Sequence, residues 1–504
     1  MKFITASLGL ICLLTIAAQA QTPEPAPTPT MFQHVVIIFQ ENRTPDNLFQ
    51  GLCAPPFGSS ASCSPTLTPG KYDILTNNWL TLNGATIKPK PVALANTYDL
   101  DHSHTAFNEM CDKDTNGMCR MDGASEVHCG PNKGTTCPSN PQFRFVANTT
   151  SGLLNPYLEL ATQYGWANAM FQTNQGPSFP AHQFMFGGTS APTTGDDAAG
   201  VYAAENMSST DGTKKGLAAG CIALSTTRVK LVMPDGSENT EIYPCFEHQT
   251  MGDLLNAGPV GPAPAPVSWF YYAPSAGSIW TAPDAIDHIC KSTGPGGKCI
   301  GNEWVDHVDV PGNKPTDNGS VDILRDIKAC NLQQVSWVIP SCQNSDHASC
   351  NAGGGPSWVA SIVNAIGQSS CASGNWKDTA IIITWDDWGG WYDHEGPTFL
   401  QAPLGGYQYG FRVPLIFVSA YTAPGYINNN QHDFGSVLRF IEHNFNLPDK
   451  GLGFADARTD TNLTGFYDFS RPARDFQKVS ALKKASFFLH DKRKQLDPDD
   501  DDDH

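Results

Sequence analysis

Two adjacent carboxylates, Asp386-Asp387, end the apolar run in DTAIIITWDDWGGWYDHEGP. Side by side at the end of a buried strand, they repel each other unless a cation sits between them. The plainer alternative is a polar turn ahead of Gly389-Gly390. Glu41-Asn42 closes a second apolar run, HVVIIFQENR, and offers two more oxygen donors or, more simply, a strand-to-helix cap. Taken together the four residues form a hard, oxygen-rich cation site. No close His pair or Cys cluster accompanies them, so a thiolate-rich zinc site fits poorly.

A nucleophile is offered by Ser178 in NQGPSFPAHQFMFGGTS. Gly176 and Pro177 set a tight approach, and Phe179-Pro180 can open a helix whose N–H groups and dipole face whatever Ser178 attacks. An ordinary N-cap serine would look the same. There is no GxSxG elbow at this serine, so a Ser-His-Asp acyl hydrolase is not the natural reading. Histidines suited to proton transfer are His102 and His104 in YDLDHSHTAF, His288 in APDAIDHI, His347 in SDHAS and His394 in WYDHEGP. Taken singly, each is more often a structural hydrogen-bonder than a catalyst. Asp112, Asp114, Asn116 and Gly117 imitate the first half of a calcium loop, but Gly123 stands where the bidentate Glu belongs.

Short β-branched and aromatic runs predict buried strands at residues 35–39, 166–171, 267–272, 335–339, 380–385 and 413–419. Helical spacing predicts helices over 357–367, after Pro356, and over 434–445. Continuous apolar strands separated by helix-capable segments indicate an α/β fold, a large, mostly parallel twisted sheet covered by helices on both faces. Glu41-Asn42, Ser178, His347 and Asp386-Asp387 each follow one of these strands, and His288 lies downstream of another. In open α/β sheets the ligand site lies beyond the carboxyl ends of the strands. The Gly-, Pro- and Cys-rich stretches 50–150 and 187–265 read as loop-rich insertions.

The chain opens with Lys2, an apolar run from Leu8 to Ala18 and Ala18-Gln19-Ala20, the pattern of a signal peptide over 1–20. A Pro-rich linker over 21–31, a catalytic domain over 32–480 and a charged, disordered tail over 481–504 follow. Of the 15 cysteines, Cys12 leaves with the signal, and the even remainder reads as disulfides of a secreted or periplasmic protein, with local loops at Cys290/Cys299 and Cys342/Cys350. No later run is long enough to span a membrane. A net charge of −18 argues against nucleic acid as the partner and requires any pull on a phosphate ester to be local.

HVVIIFQENRTPDNLF and DTAIIITWDDWGGWYDH resemble the opening and closing signatures of the phosphoesterase family that holds bacterial and plant phospholipases C and acid phosphatases of the A type. GPSFPAHQFMFGG and SDHAS are similar to its intermediate motifs, and the resemblance runs from about residue 33 to 475. It implies a fold like that of the alkaline phosphatase superfamily and a secreted, metal-dependent phosphoric ester hydrolase. Carried over by position, Glu41, Asn42, Asp386, Asp387 and Ser178 hold one divalent ion, with calcium, magnesium, manganese and zinc all open. Ser178 is also the nucleophile, and His102, His288 and His347 assist it. Small or acidic residues usual near the third histidine differ around His288. The implied substrate is a small phosphate ester or a phospholipid headgroup, the latter compatible with transient contact at a membrane surface. Oligomeric state is left open. The alternatives are a phospholipase C acting strictly on phospholipids, a non-catalytic binding protein on the same scaffold, and a sulfatase, phosphonatase or related esterase, the sulfatase lacking its C/S-x-P-x-R context around Ser178.

Overall fold

Eight strands form the central sheet of the computed structural model, which describes residues 31–130, 137–212, 218–398 and 408–493. In chain order they are β1 His34–Gln40, β2 Gly165–Met170, β3 Trp269–Tyr272, β4 Val308–Asp309, β5 Val335–Val338, β6 Thr379–Trp385, β7 Leu415–Val418 and β8 Tyr426–His432. Their spatial order is β4-β3-β5-β1-β6-β7-β2-β8. The block β4-β3-β5-β1-β6 is parallel, β7 runs antiparallel to both of its neighbours, and β8 is parallel to β2. The mostly parallel sheet expected from the apolar runs is therefore present, with one reversed strand inside it.

Central strands are buried along their whole length, as VVIIF and AIIITW require. Each fully buried Ile or Val contributes about 1.5–3 kcal/mol. Helix α1 His104–Cys111 packs on the helical turn Gly123–Glu126 within an insertion, and the faces of the sheet are covered by α2 Asn155–Gln163, α3 Ser178–Gly187, α4 Met251–Ala257, α5 Asp322–Ala329, α6 Gly355–Gly367 and α7 Phe434–Asn444. Phe39 of β1 packs against His182 of α3 and Phe434 of α7, while Trp385 of β6 packs against Tyr157 of α2. Trp385 pairs with Gln40, the residue after Phe39, so these contacts lie on opposite faces. Pro356 opens α6, and an Asp433/Ser436 capping box opens α7.

Two edge strands carry no apolar signature. β8 reads YINNNQH and is held by Asn168 Nδ2 donating to Asn429 Oδ1 at 2.7 Å, with a bulge between Asn428 and Gln431. β4 is only two residues long. The insertions are built from short ribbons, single helical turns and a small antiparallel sheet over Tyr202–Ala203, Ser208–Ser209, Thr227–Val232 and Thr240–Ile242. Seven disulfides staple them and the core: Cys53–Cys63, Cys111–Cys119, Cys129–Cys137, Cys221–Cys245, Cys290–Cys299, Cys330–Cys371 and Cys342–Cys350. Asp112–Gly117 is a turn inside one of them, where Asp114 accepts from the N–H groups of Asn116 and Met118 instead of serving a calcium loop.

The end of the chain differs from the disordered tail expected after 480. Residues Ala485–Leu489 form a helical turn whose Phe488 is buried against Trp358 of α6. Two adjacent phenylalanines supply apolar surface that the neighbouring charges obscure. Residues 1–30, assigned to the signal and linker, and the aspartate run after 493 lie outside the described residues. Among the described residues, no helix is long and apolar enough to cross a membrane.

Candidate active site

Register between β1 and β6 places Glu41-Asn42 and Asp386-Asp387 together. His34 to Gln40 face Thr379 to Trp385 in sequence order, and Asp386 N–H donates to Gln40 O at 2.9 Å. Glu41-Asn42 and Asp386-Asp387 therefore leave adjacent strands at the same level. Asn42 turns into the left-handed region (φ 59°), which Asn tolerates, and its N–H donates to Asp386 Oδ1 at 2.8 Å. Beyond Asp387, Gly389 (φ 61°) and Gly390 (φ 70°) bend the chain away, and Gly389 N–H donates to Asp387 Oδ1 at 2.7 Å.

Ser178 is the first residue of α3, after β2, and is fully buried. Its Oγ lies 3.4 Å from Glu41 Oε2 and 3.3 Å from Asp387 Oδ2. The expected cradle of helix N–H groups is narrower than the sequence suggests. Phe179 N–H donates to Asn206 Oδ1 at 3.0 Å and Pro180 has no N–H, which leaves the N–H of Ser178 itself.

His102 and His347 complete the cluster. Each ring is oriented by its Nδ1, which donates to Leu100 O at 2.7 Å in His102 and to Ala348 O at 2.6 Å in His347. That turns each Nε2 inward, 3.1 Å and 3.2 Å from the amide nitrogen of Asn42. The amide oxygen of Asn42 lies 3.2 Å from Glu41 Oε2 and 3.0 Å from Asp386 Oδ1. An oxygen that faces only acceptors is repulsive by itself, and rotating the amide would relieve it. The rotated amide, however, sets its oxygen against two imidazoles whose protons are already committed to backbone carbonyls. Keeping the amide nitrogen on the imidazoles satisfies both rings, and a cation among the oxygens removes the repulsion. The donor set thus fits a divalent ion held by oxygen.

Electrostatics lead to the same place. Burial, then the charge of Asp386, pushes the Asp387 carboxyl well above the usual carboxylate range, with His102 and His347 acting against the shift. Such a pair is costly to keep ionised without a compensating positive charge.

His288 does not join this group. It lies on the helical turn Asp287–Cys290, where Nδ1 contacts Glu247 Oε1 at 2.9 Å and Nε2 contacts Asp253 Oδ1 at 3.2 Å. The hydrogen bond to Asp253 raises its pKa to about 9, against the cost of partial burial. The downstream position after β3 ends in an insertion, away from the strand end.

Other residues in and around the cluster escaped the sequence reading. His182, one helical turn after Ser178, places Nε2 3.2 Å from Glu41 Oε1, and burial lowers its pKa to about 4. The i,i+4 spacing of Ser178 and His182 is the signal that could have found it. Asp99 offers a carboxylate oxygen within 4.8 Å of nitrogens of His102 and His347, and the Asp99-Leu100-Asp101-His102 run was its trace. Arg43, fully buried, donates from Nε and Nη2 to Asp346 O at 2.9 and 2.8 Å and stacks over Trp391 at 4.9 Å. Asp346 in turn accepts from Tyr157 Oη at 2.7 Å and Trp385 Nε1 at 3.1 Å. These bonds and the Cys342–Cys350 disulfide fix the loop that carries His347.

A model of the phosphoesterase family matches residues 32–448, nearly all of the described chain. The chain belongs to this family. Its relatives include phospholipase C B of Mycobacterium tuberculosis, 27% identical over 32% of this chain and 36% of the relative. The non-hemolytic phospholipase C of Burkholderia pseudomallei is 30% identical over 25% of this chain and 21% of the relative. The non-specific phospholipase C6 of Arabidopsis thaliana is 28% identical over 23% of this chain and 25% of the relative. The matched stretches thus span about a third or less of these proteins. Among solved structures, a protein in the alkaline phosphatase superfamily from Vibrio parahaemolyticus aligns over 61% of this chain and 64% of its own at 12% identity, with a TM-score of 0.32.

Proposed function

We propose that this member of the phosphoesterase family is an exported, metal-dependent phosphoric ester hydrolase whose nucleophile is Ser178. The observation that carries the reading is the setting of Asn42, with its amide oxygen among carboxylates and its amide nitrogen between the Nε2 atoms of His102 and His347. Glu41, Asn42, Asp386, Asp387 and Ser178 would hold one divalent ion. When bound, that ion would lower the pKa of the serine hydroxyl and neutralise charge on the phosphoryl group.

The chain's own residues supply the rest. Glu41 and Asp387 flank Ser178 Oγ and orient it. Oγ attacks phosphorus in line, an Oγ–P bond forms, and the bond to the alcohol oxygen breaks. His102 or His347, each presenting an unprotonated Nε2 inward, would take the proton that Ser178 Oγ loses as the Oγ–P bond forms, pass it to the departing alkoxide, and later take one from the water that cleaves the phosphoserine and return it to Oγ. While it carries the serine proton, the imidazole would also be a local positive charge facing the phosphate in a protein of net charge −18. His288, tied to Glu247 and Asp253, has no role in this scheme. Seven disulfides favour an oxidising compartment, in keeping with export. The phospholipase C relatives favour a phosphate ester or phospholipid headgroup as substrate.

The test is hydrolysis of p-nitrophenyl phosphate and p-nitrophenylphosphorylcholine, before and after chelation and with divalent ions restored one at a time. The reading expects chelator-sensitive turnover of at least one ester, and the preferred ester separates a monoesterase from a phospholipase C. Absence of chelator-sensitive hydrolysis of both would refute it.

A further inference from the structure

Three strands bring the proposed cation site and its nucleophile together: β1 leads to Glu41-Asn42, β6 to Asp386-Asp387 and β2 to Ser178. β1 and β6 are neighbours, but the reversed strand β7 lies between β6 and β2. The segment entering β7 crosses the end of β2, where Val413 N–H donates to Met170 O and Gln172 N–H donates to Phe411 O, each at 3.0 Å. Arg412 stands between those two contacts and is fully buried. A guanidinium cannot shed its charge there, so buried anions must meet it.

Three buried carboxylates do so, and each belongs to a different segment of the chain. Arg412 grips Asp393 with its fork, Nε donating to Oδ1 at 2.8 Å and Nη2 to Oδ2 at 3.1 Å. Its Nη1 donates to Asp73 Oδ2 at 2.9 Å and to Asn168 O, within β2, at 2.8 Å. Asp46 is reached through His394, whose backbone N–H and Nδ1 donate to Asp46 Oδ2 at 3.1 and 2.7 Å while Nε2 faces Asp73 Oδ1 at 3.3 Å. Beside them, Thr44 Oγ1 donates to Tyr392 O at 2.8 Å. Against the cost of burial, the charge of Asp46 and hydrogen bonds to Asp46 and Asp73 raise the pKa of His394 to about 10. The ring is therefore a cation and not the proton shuttle that its sequence context offered. Two cations face three buried carboxylates, with the partly exposed Glu395 a further 3.7 Å from His394 Nε2. Asp46, Asp393 and His394 are close enough together to hold a metal ion, but Arg412, 3.9 Å from Asp46, already supplies the positive charge there.

We infer that Arg412 and His394 are positioning residues, which hold the strand end that leads to Ser178 against the strand ends that carry Glu41, Asn42, Asp386 and Asp387. Their grip reaches the site along short stretches of chain, from Asp46 back to Asn42 and from Asp393 back to Asp387. A ligand set held in place by such outer contacts binds its ion more tightly than one that must be gathered. The inference rests on the proposed cation site and names what keeps it in register.

The test measures Mn²⁺ binding by electron paramagnetic resonance titration and, in metal-free protein, amide hydrogen exchange over residues 41–49 and 386–395. The variants are Arg412→Lys, which keeps the charge and loses the fork, and His394→Ala, with His394→Asn restoring a donor toward Asp46. Mn²⁺ affinity should fall about 10–100-fold in Arg412→Lys and His394→Ala and return in part in His394→Asn. Exchange should quicken over the two segments and stay unchanged in α5, which follows the edge strand β4. A merely structural role would lower Tm and quicken exchange throughout, while folded protein kept its affinity. Folded variants whose Mn²⁺ affinity stays within about twofold of wild type, or whose exchange quickens no more in those segments than in α5, overturn the inference. If Arg412→Lys does not fold, the two His394 variants decide. If the wild type binds no Mn²⁺, the cation reading fails and the exchange comparison decides the positioning role alone.

Discussion

Replacing Gly389 by Ala should damage the active site through the backbone of a neighbouring strand end. Gly389 has φ 61°, and an added Cβ would lie 2.6 Å from Asn42 O, 2.7 Å from Asn42 Cβ and 3.0 Å from Asn42 C. The left-handed conformation costs an alanine roughly 1–2 kcal/mol, and forcing apart packed backbone adds about 1–3 kcal/mol. The total is about 2–5 kcal/mol. At about 2.1 cal/mol/K of unfolding entropy per residue, a chain of this size loses roughly 1 °C per kcal/mol, so Tm should fall by about 2–5 °C. Relief of the clash moves Asn42 by nearly an ångström, and a misplacement of about 1 Å in a reacting constellation costs on the order of 10²-fold. Hydrolysis of p-nitrophenyl phosphate should therefore drop about 10–100-fold in kcat/KM. Gly389→Asn, which tolerates the left-handed region but carries the same Cβ, should recover part of the stability and little of the activity. Calorimetry and steady-state kinetics on both variants decide the matter. An alanine variant with wild-type Tm and wild-type kcat/KM would refute the claim that this turn is packed against a residue of the cation site.

Two further outcomes follow from the same geometry. His288→Ala should leave kcat/KM within about twofold and lose about 1 kcal/mol of stability, discounted for its partial exposure. The folded pKa is raised to about 9, so the stabilisation is complete below the unfolded value and is lost as pH rises through 9. The Tm gap to wild type should accordingly be widest near about pH 6 and close in alkaline buffer; a large activity loss with no such gap would return His288 to the catalytic group. Asp386→Asn and Asp387→Asn should lower bound divalent metal and activity together by elemental analysis and kinetics, and full metal occupancy in both variants would remove them from the ligand set.

Much of this arrangement was legible in the sequence because the apolar strands announce themselves. VVIIF and AIIITW are largely hydrophobic runs, the first followed after Gln40 by Glu41-Asn42 and the second directly by Asp386-Asp387. Parallel register then places those pairs side by side. Strand β8 was not legible because an Asn-rich segment has little intrinsic β preference and is held by side-chain bonds to β2. Reversal of β7 is a matter of connection geometry that its composition does not record. His288 shows the limit of positional transfer, since only the fold reveals that Glu247 and Asp253 claim its ring. Arg43 and His182 were overlooked for the opposite reason: their importance lies in burial and in partners far along the chain, Asp346 for one and Glu41 for the other.

The central claim is that Ser178 carries the phosphoryl group during turnover, and trapping that group tests it most directly. Metal-loaded enzyme turning over p-nitrophenyl phosphate would be quenched in denaturant at neutral pH, where both phosphoserine and phosphohistidine survive, digested and mapped by mass spectrometry. The account predicts phosphate on the peptide containing Ser178, absent from Ser178→Ala and absent after chelation. Phosphate found instead on His102 or His347, or a Ser178→Ala enzyme that still turns over at more than about a tenth of the wild-type rate, would contradict it.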